Sequence, residues 1–242
     1  MNKKIFQSSL LSIPEVHHGF LSRHFGKNQK EGVLSSPGLT GGSTLNLAQV
    51  LQVHGKKVYP LQKEEDLKVS QKVEADAMVT SLKKVALVIR TADCVPLLFY
   101  DPTQRVIAAA HAGWRGTSKN ISSETIRAMG ELYACNAKDI MVAIGPCIQA
   151  CCYEVDAPVV EAICRSGDRS DLSPLFEKVK DKQERWKLDL ASVNQYQLIQ
   201  TGVAEKKIWM SPNCTACQGK DFYSYRKEGE AAGRQWSYIA LV

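Results

Sequence analysis

Three short stretches of the chain each set a metal ligand or nucleophile among small residues. They are Gln52-Val53-His54-Gly55, Thr91-Ala92-Asp93-Cys94-Val95-Pro96 and Ala110-His111-Ala112-Gly113-Trp114-Arg115-Gly116-Thr117. The imidazoles of His54 and His111 and the thiolate of Cys94 form a natural ligand set for zinc or copper, and three protein ligands leave a fourth position for water or substrate. Zinc would lower the pKa of a bound water toward neutrality, whereas copper would suit electron transfer, and ligand type alone does not choose between them. The same residues permit two other readings. Cys94 can act as a nucleophile with His111 as its base, giving a cysteine hydrolase without metal. Alternatively, Cys94 is a small buried hydrophobe and the histidines are merely hydrogen-bonded.

Other segments offer weaker chemistry. Residues 113–117 run toward a predicted helix N-terminus, where free backbone amides and the helix dipole hold anions, with Arg115 as reinforcement. The plainer reading is a glycine-permitted turn with the Arg115 stem packed on Trp114. Near the C-terminus, Phe222-Tyr223-Ser224-Tyr225-Arg226 combines rings and a cation suited to a flat base or a phosphate, and a core-packed strand explains it equally well. Cys214 and Cys217 form one C-x-x-C pair, but a tetrathiolate zinc site needs a second matching pair, and Cys147, Cys151 and Cys152 lack that spacing. A redox role for Cys214 and Cys217 would need a helix N-terminus, whereas Pro212-Asn213 reads as a loop.

The elements that must position these groups follow from periodicity. Apolar runs at 85–89, 95–100 and 106–110 predict consecutive buried strands, with Cys94 in the link between two of them and His111 just after the third. Sheet pairing would bring Cys94 and His111 together. A helix is expected through Ile121, Thr125, Ala128, Met129 and Leu132, capped by Thr117 or Ser118. Further expectations are a strand at 140–144, a helix starting at Asp156 and Pro158, a helix over 191–201 ended by Gly202, and strands near Ile208 and at 236–242. Residues 1–50 are weakly patterned, with turns at Pro37-Gly38 and Gly41-Gly42-Ser43, and no helix is predicted there. The mixture, without strict alternation, predicts a single α+β domain over residues 1–242. No G-x-G-x-x-G or P-loop points to a doubly wound nucleotide-binding fold.

Composition narrows the partners. With 242 residues, 44% hydrophobic and 23% charged, the chain has an ordinary globular make-up and no apolar run of the roughly 20 residues a membrane span needs. The net charge of +6 is scattered among carboxylates rather than packed in one tract, which disfavours nucleic acid and leaves room for a mildly basic anion pocket. Eight cysteines in a chain this large, with Gln7, Ser8 and Ser9 interrupting any apolar export signal, predict reduced thiols and a cytoplasmic location.

Together the segments resemble the YfiH family, bacterial relatives of laccase-domain proteins, in which Q-V-H-G, T-A-D-C-x-P and H-A-G-W-R-G recur in this order. The resemblance continues through Ile144-Gly145-Pro146-Cys147-Ile148, Tyr153-Glu154-Val155, Asp189-Leu190, Cys214-Thr215, Phe222-Tyr223-Ser224-Tyr225-Arg226 and Gly233-Arg234. It implies mixed β-sheets flanked by helices in a layered sandwich, and a metal, usually zinc with copper as the alternative, on His54, Cys94 and His111. It further implies phosphorolysis of adenosine, inosine or methylthioadenosine, and deamination of adenosine. Cys94, His111 and Asp93 are then the expected catalytic groups, with Asp93 a proton carrier. Arg115, Arg226 and Gln52 are the expected contacts for substrate or phosphate, and the chain is expected to work as a monomer or homodimer. The sequence departs from the family where Asn46-Leu47-Ala48 precedes Q-V-H-G by an unusually short stretch, and where Lys227 replaces a second arginine. A copper polyphenol oxidase is the competing activity, but a multicopper centre draws on many histidines and the chain has five. A zinc-binding module without turnover is the remaining one.

Overall fold

Side chains alternating between two buried faces explain why so much of the chain reads as continuous apolar strand. The computed structural model describes residues 3–34, 45–180 and 183–242. Its strands are β1 (Ile5–Phe6), β2 (Val16–Leu21), β3 (Asn46–Ala48), β4 (Val58–Leu61), β5 (Ala77–Thr80), β6 (Val85–Thr91) and β7 (Val95–Asp101). They continue with β8 (Val106–Ala112), β9 (Met141–Ile144), β10 (Glu154–Asp156), β11 (Phe176–Lys178), β12 (Arg185–Leu188), β13 (Ile208–Met210) and β14 (Gln235–Leu241). The helices are α1 (Gln29–Leu34), α2 (Glu64–Ser70), α3 (Trp114–Thr117), α4 (Ile121–Tyr133), α5 (Ala157–Cys164), α6 (Arg169–Leu172), α7 (Leu190–Gln200) and α8 (Tyr225–Glu228).

A five-stranded sheet in the order β1-β2-β14-β6-β3 lies against a six-stranded sheet in the order β13-β9-β7-β8-β5-β4. Between them pack Phe20, Leu87, Ile89, Leu98, Ile107 and Ile239. On β8 the alternation is visible: Ile107 and Ala109 face this layer, while Val106, Ala108 and Ala110 face a second core with Met129 of α4 and Val193 and Leu198 of α7. The outer face of the five-stranded sheet is covered by Phe25 and Val33. The small sheet β10-β12-β11 completes the far side. This is the α+β mixture that the sequence pattern predicts, in the layered sandwich that the resemblance implies, and no helix among the described residues is long and apolar enough to cross a membrane.

Several sequence expectations need correction. Residues 23–34 are helical, as a 3-10 turn at Arg23–Asn28 followed by α1, because Phe25 and Val33 bury against Leu21 and Tyr238, a contact no local pattern announces. The expected turns at residues 37–38 and 41–43 lie outside the described residues. Helix α4 starts not at Thr117 or Ser118 but after Asn120, which adopts left-handed backbone (φ 60°), because the intervening residues close the separate one-turn helix α3. Ala128 and Leu132 lie off its buried face, which is formed by Ile121, Thr125, Ile126 and Met129. The 222–226 segment is not a strand: Phe222 is buried against Phe6, and Ser224 leads into α8.

The sheets approach closely at Gly145, just past β9, whose amide donates to Pro96. The Phe20 ring of the opposite sheet occupies the position a Cβ would take there. Gly145→Ala is therefore expected to destabilise the fold by about 1–3 kcal/mol, the usual cost of overpacking. Urea unfolding checks this, and an unchanged midpoint would contradict the close sheet contact.

Candidate metal centre

The β7–β8 hairpin pairs Pro96 with His111, so Cys94, immediately before β7, comes beside the imidazole. The two strands flanking Cys94 belong to different sheets: the chain leaves β6 in one, crosses over at residues 92–94, and enters β7 in the other. The crossover is tight enough to hold Asp93 at φ 90°. Strand β5 runs on the other side of β8, and the His111 amide donates to the Asp76 carbonyl at 2.7 Å.

Asp76 assembles the rest. Its fully buried carboxylate accepts hydrogen bonds from the amides of His54 (2.9 Å), Gly55 (2.6 Å) and Val53 (3.2 Å), and from Nδ1 of His111 (2.8 Å). The three amides hold His54 in left-handed backbone at φ 57°, a conformation costly for a residue with a Cβ. The Nδ1–H to carboxylate bond orients the His111 ring and leaves Nε2 as the nitrogen an ion would take once its proton is lost. Nothing in the sequence patterns singled out Asp76, since its role exists only once β5 and the Q-V-H-G loop meet.

The ligand atoms of His54, Cys94 and His111 all lie within 4.8 Å of one another. Cys94 Sγ is 4.0 Å from His54 Nε2, and the two imidazole rings meet edge to face with centroids 4.7 Å apart. Burial resists ionisation of the Cys94 thiol, but the neighbouring His111 charge and hydrogen bonds from His111 and His54 outweigh it and bring its pKa down to about 6. For His111, burial works toward the neutral ring. The Cys94 anion and the Asp76 carboxylate prevail and raise its pKa to about 9. Asp76 is itself held below the ordinary carboxylate value: burial opposes ionisation, while the hydrogen bonds from His111, Gly55 and Val53 favour it. Without an ion the Cys94 and His111 shifts both favour a thiolate beside an imidazolium. The donor set fits zinc or copper, and Gly113 leaves space for it, since a Cβ there would sit 2.9 Å from the His54 ring and 3.0 Å from Cys94 Sγ.

The three ligands line one cavity of about 850 Å³, with His54 exposed, Cys94 half-buried and His111 buried. Arg115 and Arg226 line it too, joined by Arg90 and Arg234, which the sequence reading did not assign to a site. Arg115 stacks on Trp114 with its guanidinium 4.4 Å from the ring centre. Arg226 lies over Tyr153 at 5.1 Å and donates to the Glu154 carbonyl. Because α3 is only one turn long, residues 113–117 do not open directly into the long helix that the sequence predicts, and the positive charge at the cavity comes from guanidinium groups that line it. Gln52 borders the cavity with its side chain pairing both the N–H and the carbonyl of Arg90. Asp93 uses one oxygen to accept from Thr215 Oγ1 (2.6 Å) and the other from the Arg226 amide (2.7 Å).

A family model described as multi-copper polyphenol oxidoreductase laccase matches residues 36–242. The chain is 36% identical to the purine nucleoside phosphorylase YlmD of Bacillus subtilis over 69% of its own length and 58% of the relative's. It is 38% identical to the purine nucleoside phosphorylase of Deinococcus radiodurans over 81% of the chain and 70% of the relative. A further relative from an unknown prokaryotic organism, 32% identical over 68% of the chain and 61% of that protein, is named an adenosine deaminase. Among solved structures, the YfiH protein of Bacillus licheniformis superposes with a TM-score of 0.82 at 25% identity, covering 96% of this chain and 98% of that one. The aligned segment thus spans less than two thirds of the Bacillus subtilis relative, whereas the fold corresponds over nearly the whole chain.

Two outcomes test the centre. Asp76→Asn keeps the shape but removes the anion that orients His111, and should weaken zinc binding by about 10- to 100-fold in chelator competition; an unchanged affinity would contradict the orienting role. In metal-stripped protein the Cys94 thiolate is present above pH about 6 and lost below it. The rate of alkylation by iodoacetamide should therefore rise through that pH, and a midpoint near the ordinary thiol value of 9.0 would contradict the ion pair.

Proposed function

The chain belongs to the family described as multi-copper polyphenol oxidoreductase laccase, and from that premise we propose that it is a metal-dependent purine nucleoside phosphorylase with adenosine deaminase activity. The observation that carries this reading is a ligand set of two imidazoles and a thiolate opening on the same cavity as four arginines. His54, Cys94 and His111 would hold zinc, with copper the alternative, and the ion would supply Lewis acidity at the cavity floor.

The remaining work falls to the chain's own groups. In phosphorolysis a phosphate oxygen attacks C1′ of the ribose, the C1′–N9 bond breaks with its electrons going to the purine, and the base leaves after gaining a proton. Arg115 and Arg226, with Arg90 and Arg234 beside them, supply positive charge for the phosphate. The hydrogen bonds of Arg226 and Arg234 to main-chain carbonyls fix geometry without neutralising charge. Tyr153, Trp114 and Tyr225 offer ring faces for the purine. Gln52 shapes the rim through Arg90. Asp93 acts first as a positioning residue, tying Thr215 and the Arg226 backbone to the Cys94 loop, and carrying a proton is its second role. In deamination, water adds at C6 of adenine and ammonia leaves, so phosphate is not consumed.

The relatives named purine nucleoside phosphorylase and adenosine deaminase support both halves of the proposal. Eight free cysteines support a reduced, cytoplasmic setting. The copper oxidase reading is less well supplied: of the five histidines, only His54 and His111 join a group of metal ligands among the described residues, while His18 is buried with its ring accepting from Ser8.

Chromatography of adenosine incubated with and without phosphate tests the proposal. Adenine and ribose 1-phosphate should appear only with phosphate, inosine should appear in either case, and Cys94→Ala should abolish all three. Adenine release that ignores phosphate would overturn the phosphorylase assignment. Arg115→Ala or Arg226→Ala is expected to raise the KM for phosphate by about tenfold, the cost of one charged hydrogen bond, and an unchanged phosphate KM in both would remove them from the site.

A further inference from the structure

Away from the His54–Cys94–His111 group, a second set of soft ligands comes together. Cys151, Cys152, Cys214 and Cys217 place all four Sγ atoms within 4.8 Å of one another. Sequence spacing by itself does not predict such a site, because a second C-x-x-C is absent. The fold supplies the missing pair as the adjacent cysteines 151 and 152. Cys151 Sγ lies 3.8 Å from Cys152 Sγ and 3.4 Å from Cys217 Sγ, and Cys152 Sγ lies 3.3 Å from Cys217 Sγ. Four sulfurs about 2.3 Å from one tetrahedral ion are separated by about 3.8 Å, so the group is already near the spacing that coordination requires. The same distances far exceed the roughly 2.05 Å of a disulfide, and all eight cysteines are free thiols.

The backbone prepares this arrangement. Cys147 and Cys214 form a parallel bridge, and the Thr215 amide donates to the Cys147 carbonyl at 3.0 Å, joining the loop after β9 to the loop after β13. The Gln149 amide points at Cys214 Sγ from 3.5 Å, an N–H···S contact of the kind that disperses thiolate charge. Cys214 is buried with Ile148 and Ala216, whereas Cys151 and Cys217 are exposed, so an ion can enter from solvent.

We propose that Cys151, Cys152, Cys214 and Cys217 form a tetrathiolate site for a zinc ion, separate from the His54–Cys94–His111 centre. Binding is coordination without redox: four Sγ–H bonds lose their protons to solvent and four S–Zn bonds form. Four protein ligands close the tetrahedron, which makes this site structural, whereas the three-ligand centre keeps an open position. Its mechanical role follows from the two loops it joins. One carries Ile148 and Tyr153 to the cavity wall, and the other carries Thr215, which Asp93 binds. The ion would fix one wall of the cavity without touching substrate.

The test uses the full chain, stripped by chelator under reducing conditions and reloaded with zinc or cobalt. Wild type should take up two ions, one for each ligand group. The Cys151→Ser/Cys217→Ser variant should lose one ion and most of the near-ultraviolet cobalt–thiolate absorption, whereas Cys94→Ala should lose the other ion and keep that absorption. Wild type also reports by itself: zinc should protect Cys151 and Cys217 from alkylation, read by peptide mass spectrometry, while half-buried Cys164, outside both groups, reacts equally with and without zinc. The proposal is overturned if the double variant keeps both ions, or if zinc leaves alkylation of Cys151 and Cys217 unchanged. Loss of metal only in Cys94→Ala would overturn it too and leave the first centre standing.

Discussion

The Asp76 carboxylate takes hydrogen bonds from three consecutive amides, Val53, His54 and Gly55, and from the His111 ring, and it does so with no exposure to solvent. Burying a carboxylate without such partners costs several kcal/mol, so the charge enforces its own surroundings: each donor must be in place for the fold to tolerate it. One group thereby ties the Q-V-H-G loop to the ends of β5 and β8 within the six-stranded sheet. It holds His54 in a strained backbone and points His111 into the cavity. Asp76 thus brings His54 to His111, while the β7–β8 hairpin brings Cys94 to the same place.

The surrounding cavity extends the same logic to longer range. Arg90, Arg115, Arg226 and Arg234 line the same space as His54, Cys94 and His111. Asp93 contributes the opposite charge but uses both oxygens locally, on Thr215 and the Arg226 backbone. The net field in the cavity therefore favours an anion, and the neighbouring rings of Tyr153 and Trp114 offer flat apolar surface beside it. A purine nucleoside and phosphate together present that combination of face and charge.

Much of this was legible in the sequence for a simple reason. Strands β6, β7 and β8 are buried on both faces, so their apolar runs are uninterrupted, and the short hairpin between β7 and β8 makes the approach of Cys94 and His111 a local consequence. What stayed hidden depends on contacts between remote segments. Strand β2 is a strand because β14, at the other end of the chain, pairs with it, and the helical stretch after it forms over the surface they create. Asp76 belongs to none of the sequence motifs, because its partners, residues 53–55 and His111, lie far from it along the chain. Arg90 and Arg234 gain meaning only as neighbours around a cavity, and the pairing of Cys151 and Cys152 with Cys214 and Cys217 depends on a bridge between loops that no spacing rule encodes.

The proposed centre requires that a sulfur and two ring nitrogens share one ion in the arginine-lined cavity. Anomalous diffraction from crystals of the purified protein, collected at the absorption edge of its bound metal, addresses it directly. A peak is expected within bonding distance of Cys94 Sγ and one nitrogen each of His54 and His111, with Nδ1 of His111 still on Asp76. A fully loaded protein whose only anomalous density lies elsewhere, with these three side chains turned apart, would contradict it.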